Sequence, residues 1–260
     1  MKNNIKDETI TNFEKLVQLV KILRSEHGCD WDKVQTSDSL IPYFIEEVYE
    51  LIDSIDKKDH KNTKEELGDV MLHLVFQAQI SNEKGFYTIN EVLENINSKL
   101  IDRHPHVFNE SSQPTSAKTN WESQKHLEKK RISKLDGVPS ILPSIIISQR
   151  IQEKASLAGF DWDDIEDVWL KIDEEINELK IAKKKNDLDN IHEEIGDLLF
   201  TVINLSRHLG ISAENALRKS NKKFIKRFQL LESEISDLNK TIDEYSTQDL
   251  NKLWDKIKSK

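Results

Sequence analysis

Two stretches of the chain carry acidic residues at the spacing of a helix face. Glu47 and Glu50 are three residues apart, and so are Glu66 and Asp69. Residues three or four apart on a helix are neighbours on its surface. If both stretches are helices that pack antiparallel, joined by the short segment 58–62, the four carboxylates converge at one edge of their seam.

Four carboxylates at one edge repel one another unless a cation lies among them. Oxygen ligands with neither cysteine nor a clear histidine partner suit Mg²⁺, with Mn²⁺ as the alternative. Because Mg²⁺ commonly completes its coordination with water and substrate phosphate, the pattern also predicts a phosphorylated substrate. A single E-x-x-E pair is usually a solvated acidic face. A di-iron bundle is disfavoured, because it uses Glu-x-x-His pairs.

The acidic pattern occurs twice, which makes a chance cluster improbable. Six residues recur 128 positions later: Glu46, Glu47, Glu50, Glu66, Gly68 and Asp69 return as Glu174, Glu175, Glu178, Glu194, Gly196 and Asp197. A Gly-x-Asp-Trp-Asp motif beginning at Gly28 also returns at Gly159. The repetition predicts a tandem duplication of one helical domain, with domains at about 1–135 and 136–260.

The elements that must position these residues are predicted to be helices. Only 7 glycines and 5 prolines are available for turns, whereas the apolar residues recur at helical spacing. The predicted helices are 11–27, 43–57, 63–81, 89–102 and 121–134, then 148–158, 167–184, 188–209 and 212–238. The expected fold is all-α. Each small bundle should need partner helices to cover its apolar faces, so a homodimer is expected.

Charge and composition exclude several classes of protein. With 38 basic and 47 acidic residues, the net charge is −9, which argues against a nucleic acid polymer as partner but not against single nucleotides. No stretch approaches the length of a membrane span, so no membrane partner is expected. The single cysteine, Cys29, forms no internal disulfide, which fits a cytoplasmic location.

One predicted helix is strongly basic in this acidic protein. Six cations lie between Arg218 and Arg227, and Lys223 and Arg227 are four residues apart, so they can point together at a phosphate group. Trp254, near the end of the chain, has two readings. It could stack on a nucleobase, or it could plug the core at a helix end.

The motifs together resemble the MazG family of nucleoside triphosphate pyrophosphohydrolases. The resemblance is carried by E-E-x-x-E followed by E-x-x-D, and by GCDWDKVQT, RHPHVF, GFDW, EEIGDLLF, NKKFIKRF and LWDKIK. It implies an all-α, dimeric, Mg²⁺-dependent enzyme that converts NTP to NMP and pyrophosphate. The metal ligands that it implies are Glu175, Glu178, Glu194 and Asp197. The nucleotide contacts that it implies are Lys171, Lys223, Arg227 and Trp254, with Asn190 where a lysine near the triphosphate is expected.

Glu174 and Glu193 lie next to the implied ligands, and either could orient or deprotonate the attacking water. The C-terminal site is predicted to be the main hydrolase, because its basic helix carries six cations where the counterpart helix offers Lys99 and Arg103. Lys171 also precedes the second set of carboxylates, where Tyr43 precedes the first. Two other functions stay open at this point. One is hydrolysis of another phosphorylated nucleotide, such as an alarmone or a damaged nucleotide. The other is a helical adaptor that binds nucleotide without turnover.

Overall fold

The computed structural model describes residues 7–108, 132–238 and 240–258. The chain divides into two compact units, 1–120 and 121–260, and the boundary between them lies outside the described residues. Every regular element in the described residues is a helix, and no strand occurs among them. The predicted all-α fold is therefore confirmed. None of the helices in the described part of the chain is long and apolar enough to cross a membrane.

The first unit is built around a helical hairpin. Its helices are α1 (Asp7–Leu23), α2 (Asp30–Lys33), α3 (Ile41–Lys57), α4 (His60–Glu83), α5 (Ile89–Arg103) and α6 (Pro105–Phe108). Helices α3 and α4 form the hairpin, and α1 and α5 pack against α4. The buried core consists of Val20 from α1, Leu40, and Val75, Phe76 and Ile80 from α4.

The second unit repeats the hairpin. Its helices are α7 (Ser144–Leu157), α8 (Ile165–Lys185), α9 (Leu188–His208), α10 (Ala213–Ser236) and α11 (Thr247–Lys258), with a 3₁₀ turn at Ile242–Glu244. Helices α8 and α9 form the hairpin, and α7 packs against both α9 and α10. Val168, Ile172 and Leu205 form one buried cluster. Leu231, Ile235 and Ile257 form another between α10 and α11.

The two hairpins turn in the same way, at positions 128 residues apart. Lys58 and Asn186 both adopt the left-handed conformation, with φ of 56° and 53°, and each ends the first helix of its hairpin. The next residue caps the second helix: Asp59 accepts hydrogen bonds from the backbone N–H groups of its first turn, as does Asp187. A two-residue connection of this kind holds the paired helices in a fixed register.

The predicted helices agree with the structure to within a few residues at each end, except in four places. The helix predicted at 121–134 lies outside the described residues, apart from residues 132–134, which form bends and a turn rather than a helix. The short helices α2 and α6 were not expected. Neither was α11, which carries Trp254 and begins at Thr247, beyond the predicted end of the last helix at residue 238.

Candidate metal centre

The hairpin of each unit brings three carboxylates together. In the first unit these belong to Glu47, Glu66 and Asp69, and in the second to Glu175, Glu194 and Asp197. In each set, one oxygen from every carboxylate lies within 4.8 Å of the others. One carboxylate comes from the first helix of the hairpin and two from the second. This is the convergence that the spacing predicts, and it depends on the fixed register of the two-residue turns.

The fourth predicted members, Glu50 and Glu178, stand beside these sets rather than within them. Desolvation raises the pKa of Glu66, and the adjacent carboxylate of Glu50 raises it further. Desolvation likewise raises the pKa of Glu194, with Glu178 acting as the foremost of its charged neighbours. Glu50 and Glu178 are therefore close enough to act on the clusters electrostatically.

Carboxylates held this close repel one another, so each cluster favours the binding of a cation. Burial raises the pKa of Glu47, and the carboxylates of Asp69, Glu50 and Glu66 add to the increase. A divalent cation would remove this repulsion, and carboxylate oxygens at this separation are the donors that Mg²⁺ and Mn²⁺ use. The residues present therefore fit a divalent metal ion in both units.

The carboxylate cluster of the second unit differs from that of the first because a lysine forms an ion pair with one of its members. The ammonium group of Lys171 lies 2.9 Å from Glu175 and 3.0 Å from Glu174. These two partners, Glu175 foremost, raise the pKa of Lys171 above its ordinary value. Glu175 is only 3 % exposed. A buried carboxylate needs a partner, and Lys171 provides it.

The corresponding place in the first unit is taken by an aromatic residue. Tyr43, 128 positions before Lys171, makes an edge-to-face contact with Trp31 at a centroid distance of 5.8 Å. The first cluster therefore lacks a lysine at this position, and the two sites differ in charge although their carboxylates match.

The other predicted site residues lie on the hairpin helices or on α10. Glu174 is exposed on α8 and Glu193 is exposed on α9. Asn190 lies in the first turn of α9, where its backbone N–H donates to Asp187 at 3.2 Å. Lys223 and Arg227 both lie on α10, the first exposed and the second half-buried.

Trp254 lies on α11 in an aromatic cluster. Its ring centroid is 5.2 Å from that of Phe224, and Phe224 stacks on Phe228 at 6.0 Å. The half-buried indole packs against the core formed by Leu231, Ile235 and Ile257. Its place in this core agrees with the second alternative given above, a side chain that fills the core at a helix end.

A second charged cluster was not predicted from the sequence. Asp161, in the repeated Gly-x-Asp-Trp motif, pairs with both guanidinium ends of Arg207 and lies 3.2 Å from His208. Burial raises the pKa of Asp161, but the hydrogen bonds from Arg207, from Ser156 and from the backbone N–H of Trp162, together with the charge of Arg207, outweigh that effect and lower the pKa to about 2. The sequence carried no signal for this pairing, because the equivalent Asp30 of the first unit pairs instead with its own neighbour Lys33 at 2.8 Å.

The fold and the clusters define the class of protein: an all-α molecule with one helical hairpin in each unit, each of which presents carboxylates suited to a divalent metal. The family model described as the MazG nucleotide pyrophosphohydrolase domain matches residues 35–108 and 164–238, which contain both hairpins. The chain belongs to this family.

Relatives resemble the chain along nearly its whole length. The nucleoside triphosphate pyrophosphohydrolase/pyrophosphatase MazG of Thermotoga maritima is 47 % identical over 95 % of each chain. The nucleoside triphosphate pyrophosphohydrolase of Escherichia coli K12 is 36 % identical, covering 96 % of this chain and 98 % of its own. The uncharacterized protein YabN of Bacillus subtilis is 37 % identical over 98 % of this chain, which spans 53 % of YabN.

Proposed function

We propose that this protein is a metal-dependent nucleoside triphosphate pyrophosphohydrolase, which converts NTP and water to NMP and pyrophosphate. The observation that carries the proposal is the carboxylate cluster of each hairpin, found in a chain of the MazG family. Relatives named for this activity cover almost the entire chain. The predicted domains, 1–135 and 136–260, each contain one complete cluster.

Mg²⁺ is the proposed metal, with Mn²⁺ as the alternative, and its ligands in the second unit are Glu175, Glu194 and Asp197, assisted by Glu178. In the first unit the corresponding residues are Glu47, Glu66, Asp69 and Glu50. A bound ion would supply Lewis acidity to the phosphate oxygens and to the attacking water. The carboxylates hold the ion and leave part of its coordination to substrate and water.

Lys171 is the proposed contact for the phosphate nearest the metal. Its ammonium group already lies beside Glu174 and Glu175, so it provides a positive charge next to any phosphate group that binds at the metal. Asn190 is proposed to bind the same part of the substrate from the opposite helix. Lys223 and Arg227 on α10 are proposed to stabilise the negative charge that develops on the leaving pyrophosphate.

Two residues compete for the role of general base. Glu174 is paired with Lys171, whereas Glu193 is next to Glu194 on the other helix of the hairpin. Replacing each by glutamine separates them, because only the residue that takes the proton should lose kcat while the KM for NTP stays constant. A rise in the KM for NTP with unchanged kcat in the Glu174→Gln variant would instead show that Glu174 positions Lys171.

The test of the proposed function is release of pyrophosphate by the full-length protein with Mg²⁺ and each common NTP. The double variant Asp69→Asn/Asp197→Asn should lose this release, while the matched variant Asp173→Asn, exposed on α8 beside the cluster, should keep it. Release of phosphate instead of pyrophosphate, or turnover only with alarmones or damaged nucleotides, would favour another hydrolase. Binding of NTP without any product would favour the adaptor.

A homodimer is proposed for the solution state. In the first unit, α4 exposes Leu67, Met71 and Leu74 to 52 %, 45 % and 52 %, which is a stripe at helical spacing that a second copy can cover. Sedimentation equilibrium should give twice the mass of 30.3 kDa. A Leu67→Lys/Leu74→Lys variant should give the monomer mass, and a monomeric wild type would exclude the proposal.

The single cysteine supports the proposed cytoplasmic location.

A further inference from the structure

The second unit contains a cavity of about 450 Å³ that is bounded by α7, α9 and the loop after Gly159. We call it the α7–α9 cavity. Its lining within the described residues includes no carboxylate of the metal cluster and no residue of α10 or α11. Three aromatic side chains contribute to its walls, those of Phe160, Trp162 and Phe200. A mostly apolar cavity of this size with a few polar groups is the usual form of a small-molecule site.

The first unit has larger side chains at the equivalent positions. The motif that begins at Gly28 returns 131 residues later, and by this offset Ala155 of the cavity wall corresponds to Arg24. The Arg24 side chain is 5 % exposed and donates to two backbone carbonyl oxygens of its own loop at 2.6 and 3.1 Å. On the hairpin, Asn204 of the wall corresponds to Phe76, which belongs to the buried core. The fold therefore does not require small side chains here.

One polar group of the cavity wall lacks a partner. Gln152, on α7, is 7 % exposed, and its amide nitrogen donates to the carbonyl oxygen of Phe200 at 2.9 Å. Its side-chain oxygen Oε1 is buried and has no hydrogen-bond partner among the described residues. A buried acceptor without a donor destabilises the folded protein. A ligand that brings an N–H group to this oxygen would remove that cost.

The charges around the cavity indicate that its ligand is uncharged. Of the lining residues in the described part of the chain, Asp161 alone carries a charge, and its carboxylate is already paired with Arg207. An unpaired charge that enters an apolar cavity loses its hydration without compensation. Asn204 adds a polar but neutral group, and it can offer a ligand only N–H donors, because its Oδ1 atom accepts from Arg207 at 3.1 and 2.8 Å.

We infer that the α7–α9 cavity binds an uncharged aromatic compound that carries an N–H donor and is not the substrate. The donor pairs with Oε1 of Gln152, the ring lies among the three aromatic side chains, and Asn204 can donate to an acceptor on the ligand. The inference goes beyond the proposed function. It places a second small-molecule site on α9, which also carries two of the cluster carboxylates, but apart from the nucleotide contacts proposed on α10.

Indole and benzofuran are suitable probes, because they have nearly the same shape and only indole carries an N–H donor. Ala155→Leu narrows the cavity without removing a polar group, and its control, Ala158→Leu, makes the same change at an exposed position outside the lining. Gln152→Leu removes the unpartnered acceptor at similar size, and its control is Gln248→Leu, exposed on α11. Melting curves establish that each full-length variant is folded.

Titrations followed by ligand-observed NMR, without nucleotide or metal, give the dissociation constants. The wild type and both controls should bind indole about tenfold more tightly than benzofuran, because only indole can donate to the buried acceptor. Gln152→Leu should bind the two probes equally, and Ala155→Leu should bind neither. No binding of indole to the wild type, or the same preference in the wild type and Gln152→Leu, would overturn the inference. Should Ala155→Leu unfold, the comparison in Gln152→Leu decides alone.

Competition with nucleotide separates this site from the substrate site. A non-hydrolysable ATP analogue with Mg²⁺, at a concentration that saturates its own binding, should leave the Kd of indole unchanged. Displacement of indole would overturn the inference, because the cavity would then belong to the nucleotide site. A changed mass of the assembly in Ala155→Leu but not in Ala158→Leu would also overturn it, since a second copy of the chain would then cover the cavity.

Discussion

The most informative single residue is Lys171, because it distinguishes two otherwise matching carboxylate clusters. Its ammonium group bridges Glu174 and Glu175, and Tyr43 occupies the equivalent place in the first unit. Carboxylates alone attract a metal ion, whereas a triphosphate adds negative charge that must also be balanced. A lysine inside the second cluster supplies part of that balance on the protein side.

Replacing Asp197 or Glu178 by alanine should lower pyrophosphate release by more than about 100-fold, because even residues that only orient metal ligands cost about 10- to 100-fold. Helicity should change little, since removing a charge relieves repulsion on the helix. Steady-state kinetics and circular dichroism measure the two effects. Asp173→Ala is the control, and wild-type turnover in both cluster variants would show that the metal assignment is wrong.

At the scale of elements, each hairpin is fixed by its turn and by contacts at its ends. In the second unit, the loop after α7 is tied to the end of α9 through Asp161, Arg207 and His208. The side chains of Arg207 and Asp161 are 14 % and 26 % exposed. This ion pair holds the Gly-x-Asp-Trp loop next to the helix that carries Glu194 and Asp197.

Asp161→Asn should therefore destabilise the protein near neutral pH and much less in acid. Because the pKa of Asp161 is lowered from 3.8 to about 2 in the folded protein, its charged form adds stability above pH 3.8, and this is lost as the pH falls through 2. Urea denaturation at pH 7, 5 and 3 measures the difference between variant and wild type. A difference that stays constant down to pH 3 would contradict the role of the ion pair.

Mg²⁺ should raise the melting temperature, because the hairpins hold the carboxylates in place only in the folded state. At a concentration about ten times the dissociation constant, each site gains about 1.4 kcal/mol, which amounts to a few degrees. Melting curves of the wild type and of Asp69→Asn/Asp197→Asn, with and without Mg²⁺, measure the shift. Equal shifts in both proteins would mean that the ion binds elsewhere.

At the scale of the whole molecule, the duplication has produced two units that are alike in helices and unlike in charge. The first unit offers Lys99 and Arg103 on α5, and Arg103 is 8 % exposed. The second offers six cations between Arg218 and Arg227 on α10. The turns and carboxylates are repeated, but the residues that would neutralise a triphosphate are concentrated in the second unit.

We therefore expect Glu178→Ala to cost more activity than Glu50→Ala in the full-length protein. The measurement is pyrophosphate release for all common NTPs, and the two substitutions remove the same residue type from equivalent positions. The first unit should contribute only a small part of the turnover. A larger loss in Glu50→Ala across that panel would reverse the assignment and show that the basic helix does not select the active unit.

The sequence by itself determined the helical class, the duplication and the carboxylate sets, since these depend on spacing along one or two helices. Helix periodicity is local, and a conserved offset of 128 residues needs no knowledge of packing. The left-handed turns at Lys58 and Asn186 were not predicted, but the short loop that contains each of them was. For this reason the carboxylates of both clusters could be named before their distances were known.

Only the tertiary structure decided which residues outside the hairpins meet. Gln152 and Asn204 lie on α7 and α9, 52 positions apart in the sequence, and neither has a spacing that marks it. The pairing of Asp161 with Arg207 joins a loop to the far end of a helix. Such contacts depend on how helices pack, which side-chain volume and burial control, and a pattern along one helix carries no information about them.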